Sequence, residues 1–252
     1  MISIKVNAIL KNMAETKKEK FDLNVEEMLK AGLHFGHRIS KLHPKMKPFI
    51  YGIKSTVHII DLEKTVQYFK KALEFIQELA KEKKVLLFVG TKIQHKKLVE
   101  DIAKELKMPY VTERWLGGTL TNFQVMKERI EHLRELEEMK NSEEFEHYTK
   151  KERAKIEKEI SDLEKKFGGI RELEDLPDAI FICDMRQDSL AAKEAHKKEI
   201  PVIAICDTNV DPSLVDFPIP ANDDAISSVK YILEKVKEVI KSQRSKVKDQ
   251  KS

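Results

Sequence analysis

Apolar positions change their spacing several times along the chain, and each change marks an element. Val66, Phe69, Leu73, Ile76 and Leu79 recur at three and four, the period of one helix face, behind Asp61 as a cap. Val85–Val89 is an unbroken apolar run, which predicts a strand covered on both faces. Leu98, Ile102 and Leu106 return to helical spacing, with Thr91 as the expected cap. Tyr110-Val111 predicts a short strand, Ala179–Cys183 and Val202–Ile205 two buried ones, and Phe217–Ile219 a last one. Helices are expected over Ser189–Lys198 and from Asp224 to about Lys241. Strands alternating with helices specify an α/β fold: a doubly wound, mainly parallel sheet with right-handed crossovers.

The alternation is interrupted once, between 122 and 167. Ile130 and Leu133 on one arm, and Ile156, Ile160, Leu163 and Phe167 on the other, keep helical spacing. Asn141-Ser142 breaks the arms, Thr149 with Glu152 has capping-box spacing, and Gly168-Gly169 ends the second arm. This predicts an inserted antiparallel coiled-coil helical hairpin with a narrow apolar seam. From Phe123 to Phe167 there are 11 Lys or Arg against 13 Asp or Glu, net −2, so the hairpin is not a cationic arm. The resulting division is a disordered or extended N-terminal extension (1–23), an α/β domain (24–121 and 168–241), the hairpin (122–167) and a frayed basic tail (242–252). Asn24 with Glu27 has capping-box spacing for a short first helix that ends at Gly32.

Charge singles out one stretch. Gly32–Ile60 holds no Asp or Glu in a chain of which 36% is charged. It carries Arg38, Lys41, Lys45, Lys47 and Lys54, with His34, His37, His43 and His58 and the aromatics Phe35, Phe49 and Tyr51. Gly32, Gly36, Pro44, Pro48 and Gly52 give it a constrained, irregular path, closed by a strand at Val57–Ile60. A shaped cationic loop fits a polyanion: the basic side chains neutralise phosphates, and aromatics and donors position the loop. A solvated loop beside a small core fits the same window. Lys92, Lys96 and Lys97 would widen the patch. Arg114 and Asn122 flank the unusual Trp115-Leu116-Gly117-Gly118, where Trp115 is expected to anchor the hairpin while its neighbours face a partner. The net charge of +4 is small, so polyanion binding must come from patches.

Catalytic chemistry finds little support. The strand ends carry Gly90-Thr91-Lys92, Asp184-Met185-Arg186 and Asp207-Thr208-Asn209, where a doubly wound sheet binds ligands. The phosphate-cradling GxxxxGK[ST] and the dinucleotide GxGxxG are both absent. Gly90 is read as a tight turn. Asp184 and Asp207 could share a cation, but Asp after a strand more often caps or holds a turn. His34 and His37 lie three apart, yet the nearest third ligand, His43, sits among lysines that would repel an ion. No metal or cofactor is expected. Cys183 and Cys206 sit in apolar runs and read as buried thiols of a reducing compartment. No apolar run is long enough to span a membrane.

The motifs AGLHFGHR (31–38), HPKMKPFIYG (43–52), HIIDLEKT (58–65), LFVGTK (87–92), PYVTERWLGGTLTNF (109–123), LPDAIFICD (176–184) and IPVIAICDTNVDPSLVDFPIPANDDAISSV (200–229) occur in this order. Together they resemble the bacterial-type small-subunit ribosomal protein S2 family. The resemblance implies a flavodoxin-like three-layer domain with a protruding coiled coil. It implies a structural, non-catalytic role on the ribosome in the cytoplasm or an organelle. Partners would be small-subunit ribosomal RNA and neighbouring ribosomal proteins, including the mRNA-binding protein S1. His34, His37, Arg38, Lys41, His43, Lys45, Lys47, Tyr51, Lys54, Lys92, Lys96, Lys97, Arg114 and Asn122 would then be the RNA-binding set. Ala221 stands where the family commonly has Gly; a left-handed backbone there would cost about 1 kcal/mol. The competing reading is an enzyme that binds a nucleotide or sugar phosphate at the strand ends.

Overall fold

The structure is a computed structural model that describes residues 21–249, so the N-terminal extension expected over 1–23 lies almost wholly outside the described residues. Asn24 caps α1 (Val25–Ala31): its side chain accepts the Glu26 N–H, and Gly32 ends the helix at φ 79°. The cationic stretch follows, and it is a sheet. Strands β1 (Phe35–Arg38), β2 (Ile50–Lys54) and β3 (Val57–Ile60) pair antiparallel in the order β1-β3-β2. Short 3-10 turns at Ile39–Lys41 and Pro44–Phe49 join the first two strands. Gly36 therefore does not break the chain. A Cβ on Gly36 would lie 2.5 Å from Thr208 Cγ2, so glycine lets β1 approach the main domain.

The main domain then alternates as expected. Helix α2 (Leu62–Lys81) starts at Asp61, whose side chain accepts the Glu63 and Lys64 N–H groups. Next come β4 (Leu86–Val89), α3 (Lys96–Leu106) and β5 (Tyr110–Val111). The insertion is α4 (Phe123–Lys140) and α5 (Lys150–Phe167). The chain closes with β6 (Ala179–Ile182), α6 (Ser189–Lys197), β7 (Val202–Cys206), β8 (Phe217–Pro220) and α7 (Ile226–Asp249). All pairs in the five-stranded sheet are parallel, in the order β5-β4-β6-β7-β8. That order reverses between β4 and β6, as in the flavodoxin-like arrangement.

Alternation along the strands feeds two cores. Leu86, Phe88, Phe181, Ile203 and Ile219 face α1, α2, α3 and α7, where Phe75 stacks on Phe217 at 4.2 Å. Leu87, Val89, Ile180, Ile182 and Ala204 face α6 and the root of the insertion, with Trp115, Ile130 and Phe167. Three layers result, each strand buried on both sides. Gly90 is needed for space, since a Cβ there would stand 2.7 Å from Val99 Cγ2. Gly169 is tighter still: its Cβ would meet the Tyr110 carbonyl oxygen at 2.1 Å.

Local details differ from expectation. Thr91 does not cap α3, which starts five residues later; its hydroxyl donates to Asp188 Oδ1 at 2.8 Å and its N–H to Oδ2 at 3.2 Å. Residues 242–249 are not a frayed tail, because α7 continues through Asp249; 250–252 lie outside the described residues. Glu105 on α3 pairs with Lys237 at 3.2 Å and also with Lys241, and the Arg244 guanidinium donates to the Leu106 carbonyl, which holds this helix down. Ala221 carries no left-handed strain; the non-glycine residues with positive φ are Ser55, Thr56, Lys83, Lys107 and Glu199. In the insertion, Met126, Ile130, Leu133 and Leu136 of α4 are buried, but Ile156, Ile160 and Leu163 of α5 are only half-buried. Surface pairs His132–Glu159 at 3.3 Å and Lys140–Glu157 at 3.7 Å run along the hairpin, and the capping box at Thr149 and Glu152 is present.

One buried carboxylate organises the junction between sheet and hairpin. Glu194 on α6 is 4% exposed. It accepts hydrogen bonds from the Gly118, Leu120 and Thr121 N–H groups at 2.8, 3.0 and 3.2 Å, and from the Trp115 indole at 3.3 Å. Gly118 at φ 97° turns the loop so that these donors converge. Burial alone would raise the Glu194 pKa, but the donors outweigh it and hold it below the ordinary value. We expect Glu194→Ala to cost about 3 kcal/mol, because it orphans several buried donors. A depressed carboxylate pKa adds stability above the ordinary carboxylate range and loses it as the pH falls through the folded-state value. Glu194→Gln should therefore flatten the acid limb of a urea-unfolding profile; an unchanged acid limb would contradict this role.

Candidate nucleic-acid interface

The antiparallel sheet is fixed to the carboxyl ends of the parallel one. Thr208, just after β7, holds both sides of it: its Oγ1 accepts the His37 N–H at 2.9 Å and its carbonyl accepts the His43 N–H at 2.8 Å. Asn222 donates its backbone N–H to the Leu33 carbonyl at 3.0 Å and its side-chain amide to the Gly32 carbonyl at 3.2 Å. Met46 is fully buried beneath the sheet, and Phe49 packs edge-on against Tyr68 at 5.0 Å. A cationic segment is thus presented on a rigid base.

Its outer side carries the expected groups. Arg38, Lys41, Lys47 and Lys54 are exposed, and among the described residues no carboxylate pairs with them. Tyr51 is 81% exposed and Ile53 59%, and their alternation puts both on one side of β2. His34 and His43 are half-buried at the base, and burial lowers the His34 pKa, helped by the Lys54 charge. The β2–β3 hairpin turns on Ser55 and Thr56, at φ 48° and 69°. Two-residue turns of this form favour Asn-Gly, so a Ser-Thr tip is strained.

Other members of the expected set stand differently. Lys45 is exposed but engaged: its ammonium lies 2.7 Å from Asp211 Oδ2 and 2.6 Å from Ser213 Oγ. Lys96 pairs with Glu113 at 2.6 Å. Lys97, Arg114 and Asn122 are exposed, but they sit on α3 and around the hairpin root rather than on the antiparallel sheet. Lys92 and His37 point inward and do not belong to an outward phosphate-binding face.

Lys92 and His37 instead enter a polar cluster where the sheet order reverses. Lys92 Nζ lies 2.7 Å from Asp224 Oδ1, 3.0 Å from Asp184 Oδ2 and 3.4 Å from Asp223 Oδ1. Burial opposes its charge, yet these carboxylates hold its pKa above the ordinary value. Burial, with the charges of Asp207 and Asp184 beside it, pushes the Asp223 carboxyl up to about 8. His37 Nδ1 stands 3.1 Å from Asp207 Oδ2, and this contact raises the His37 pKa. Asp188, buried behind Thr91, is pushed up to about 6 by desolvation. The crevice where an enzyme of this architecture would admit a substrate is filled by the protein's own charged groups.

Compared with known proteins, the chain matches the family model described as Ribosomal protein S2 over residues 28–242. The chain belongs to the ribosomal protein S2 family. Among its relatives is a "Small ribosomal subunit protein uS2" of Nitratiruptor sp., 45% identical over 86% of this chain and 82% of that protein. Proteins with the same description from Sorangium cellulosum and Dictyoglomus thermophilum are 48% and 47% identical. Each match covers 86% of this chain, with 78% and 88% of those proteins. Ribosomal protein S2 is a structural family rather than an enzyme family, and the filled crevice agrees with that.

His95, fully buried next to this cluster, gives a pH prediction. Burial, helped by the Lys92 charge, pushes its pKa down to about 4 from 6.5. As the pH falls, the unfolded chain takes the proton first, so stability is full above about 6.5 and declines toward about 4. The decline is at most about 3 kcal/mol, at 1.4 kcal/mol per pH unit. His95→Leu should remove that slope from a urea-unfolding profile, and parallel profiles would contradict it. Replacing Ser55 and Thr56 with Asn and Gly should raise stability by about 1 kcal/mol.

Proposed function

We propose that this chain is a structural component of the small ribosomal subunit, and that its antiparallel sheet lies against small-subunit ribosomal RNA. The observation that carries the reading is a surface with Arg38, Lys41, Lys47, Lys54 and Tyr51 exposed on a segment without any acidic residue. Basic side chains on such a surface neutralise phosphates and release counterions, while the rigid base sets their spacing. Few of these groups can read a base edge, so recognition is by RNA shape, with Tyr51 free to stack on an unpaired base. Lys45 contributes less, because Asp211 already compensates its charge. The hairpin formed by α4 and α5, net −2 in charge, serves protein neighbours rather than phosphates. Docking of the mRNA-binding protein S1 belongs to the same reading and rests on family membership.

Binding to small-subunit ribosomal RNA, measured across a salt series, tests it. The triple substitution Arg38→Ala, Lys47→Ala, Lys54→Ala should weaken binding roughly tenfold or more at low salt. It should also flatten the plot of log affinity against log salt by about two to three units. Lys45→Ala alone should change the slope by less than one unit. A triple variant that stays folded and keeps the wild-type slope would remove the sheet from the interface.

A further inference from the structure

Of the basic side chains on the cationic sheet, Arg38, Lys41, Lys45, Lys47 and Lys54, only Lys45 meets a carboxylate among the described residues. The acid is Asp211, in the connection between β7 and β8, which the fold brings beside the 3-10 turn at Pro44–Phe49. The contact is a closed ring. Asp211 Oδ2 accepts the Lys45 ammonium at 2.7 Å, while its Oδ1 accepts the Ser213 N–H at 2.9 Å and the Ser213 hydroxyl at 2.7 Å. The ammonium also donates to the Ser213 hydroxyl oxygen at 2.6 Å. The Asp211 side chain is 19% exposed. Burial opposes its charge, but the Lys45 ammonium and the Ser213 donors outweigh it and hold the pKa down at about 2. Isolated surface pairs fix little, but a carboxylate with both oxygens bonded holds its partner in one place.

By charge alone, an acid beside a phosphate-binding face lowers affinity for every polyanion. What it supplies here is geometry. We propose that Asp211 is a specificity-determining residue of the RNA-binding surface: it holds Lys45 against the β7–β8 connection, which fixes the turn that carries Lys47 and removes one loose cation from the face. The inference rests on the antiparallel sheet being that surface.

The turn is held at its ends by other groups. Before it, the His43 N–H donates to the Thr208 carbonyl at 2.8 Å; near its end, the Pro48 carbonyl accepts the Lys64 ammonium. Met46 is buried beneath. Asp211 adds a tie between these points, at Lys45, two residues from the exposed Lys47. With the backbone fixed, Lys47 keeps its spacing from the other cations. A folded RNA can match that spacing, and a structureless one has no use for it. Released, Lys45 would swing on its four-carbon stem and meet any phosphate in reach. Discrimination then depends on a restraining, repulsive group as well as on the attractive ones.

The test uses the full-length protein with small-subunit ribosomal RNA and with poly(U), a polyanion without fixed shape, each across a salt series. Asp211→Asn keeps an oxygen for the Ser213 N–H but loses the ionic acceptor. The double substitution Lys45→Ala, Asp211→Asn has the wild-type net charge. Asp211→Asn should bind poly(U) about twofold to threefold more tightly, with a salt slope steeper by about 0.7, and should bind ribosomal RNA no more tightly than wild type. The double variant should keep the wild-type affinity and slope for poly(U) but bind ribosomal RNA about fivefold less tightly. Circular dichroism and Tm should match wild type in both, which separates lost discrimination from lost fold. An unchanged ratio of the two affinities in either folded variant would overturn the inference, whether both RNAs are bound more tightly by one factor or neither changes. The triple substitution at Arg38, Lys47 and Lys54 separates this inference from the reading beneath it. If that variant flattens the slope while the ratio stands in the Asp211 variants, only the role of Asp211 falls. If it keeps the wild-type slope, the sheet is not the interface and both fall.

Discussion

The seating of an antiparallel cationic sheet on the carboxyl ends of a parallel one is the constraint on which the structure turns. Thr208 carries much of it, bonding the backbone on either side of the turn through His37 and His43. Gly36 makes the approach possible, because any side chain there would collide with Thr208. Separately, a basic segment without acidic residues would be a mobile polyelectrolyte, and an α/β domain would have an open crevice. Joined, they give a surface whose cations have fixed spacing. Such a surface can match the contour of an RNA helix rather than attract it indiscriminately.

The same seating explains why a fold that often hosts enzymes does something else. The reversal between β4 and β6 is where ligands bind in doubly wound sheets. Here it is occupied by Lys92, His37, His95 and a group of aspartates, and covered by the antiparallel sheet. Charged groups that would act on a substrate elsewhere are used here to hold two parts of the molecule together. Glu194 repeats the device on the opposite side of the sheet. There a buried carboxylate gathers the N–H groups of one loop, and the hairpin projects from the junction it fixes.

Much of the fold was legible in the sequence because the parallel strands are short, wholly apolar and separated by amphipathic helices. Asp61, Asn24 and Thr149 announced their helices by capping chemistry that acts within four residues. What escaped was non-local. Strands β1 and β2 were missed because Gly36 and Gly52 read as breakers, while the partner that gives Gly36 its purpose, Thr208, is far along the chain. The inward role of His37 was not legible because Asp207 and Asp224, which its ring faces, lie 170 or more positions later. Lys92 and Lys45 counted as free cations because the acids that engage them follow other strands. A sequence can show where charge sits, but not which charge has already been answered.

Lysine reactivity, read by acetylation and mass spectrometry on the free protein and on assembled small subunits, tests the central claim most directly. Lys41, Lys47 and Lys54 should react readily in the free protein and be shielded in the subunit, with Lys92 unreactive in both. If Lys47 and Lys54 keep their free-protein reactivity within the intact subunit, the cationic sheet does not face RNA and the account fails.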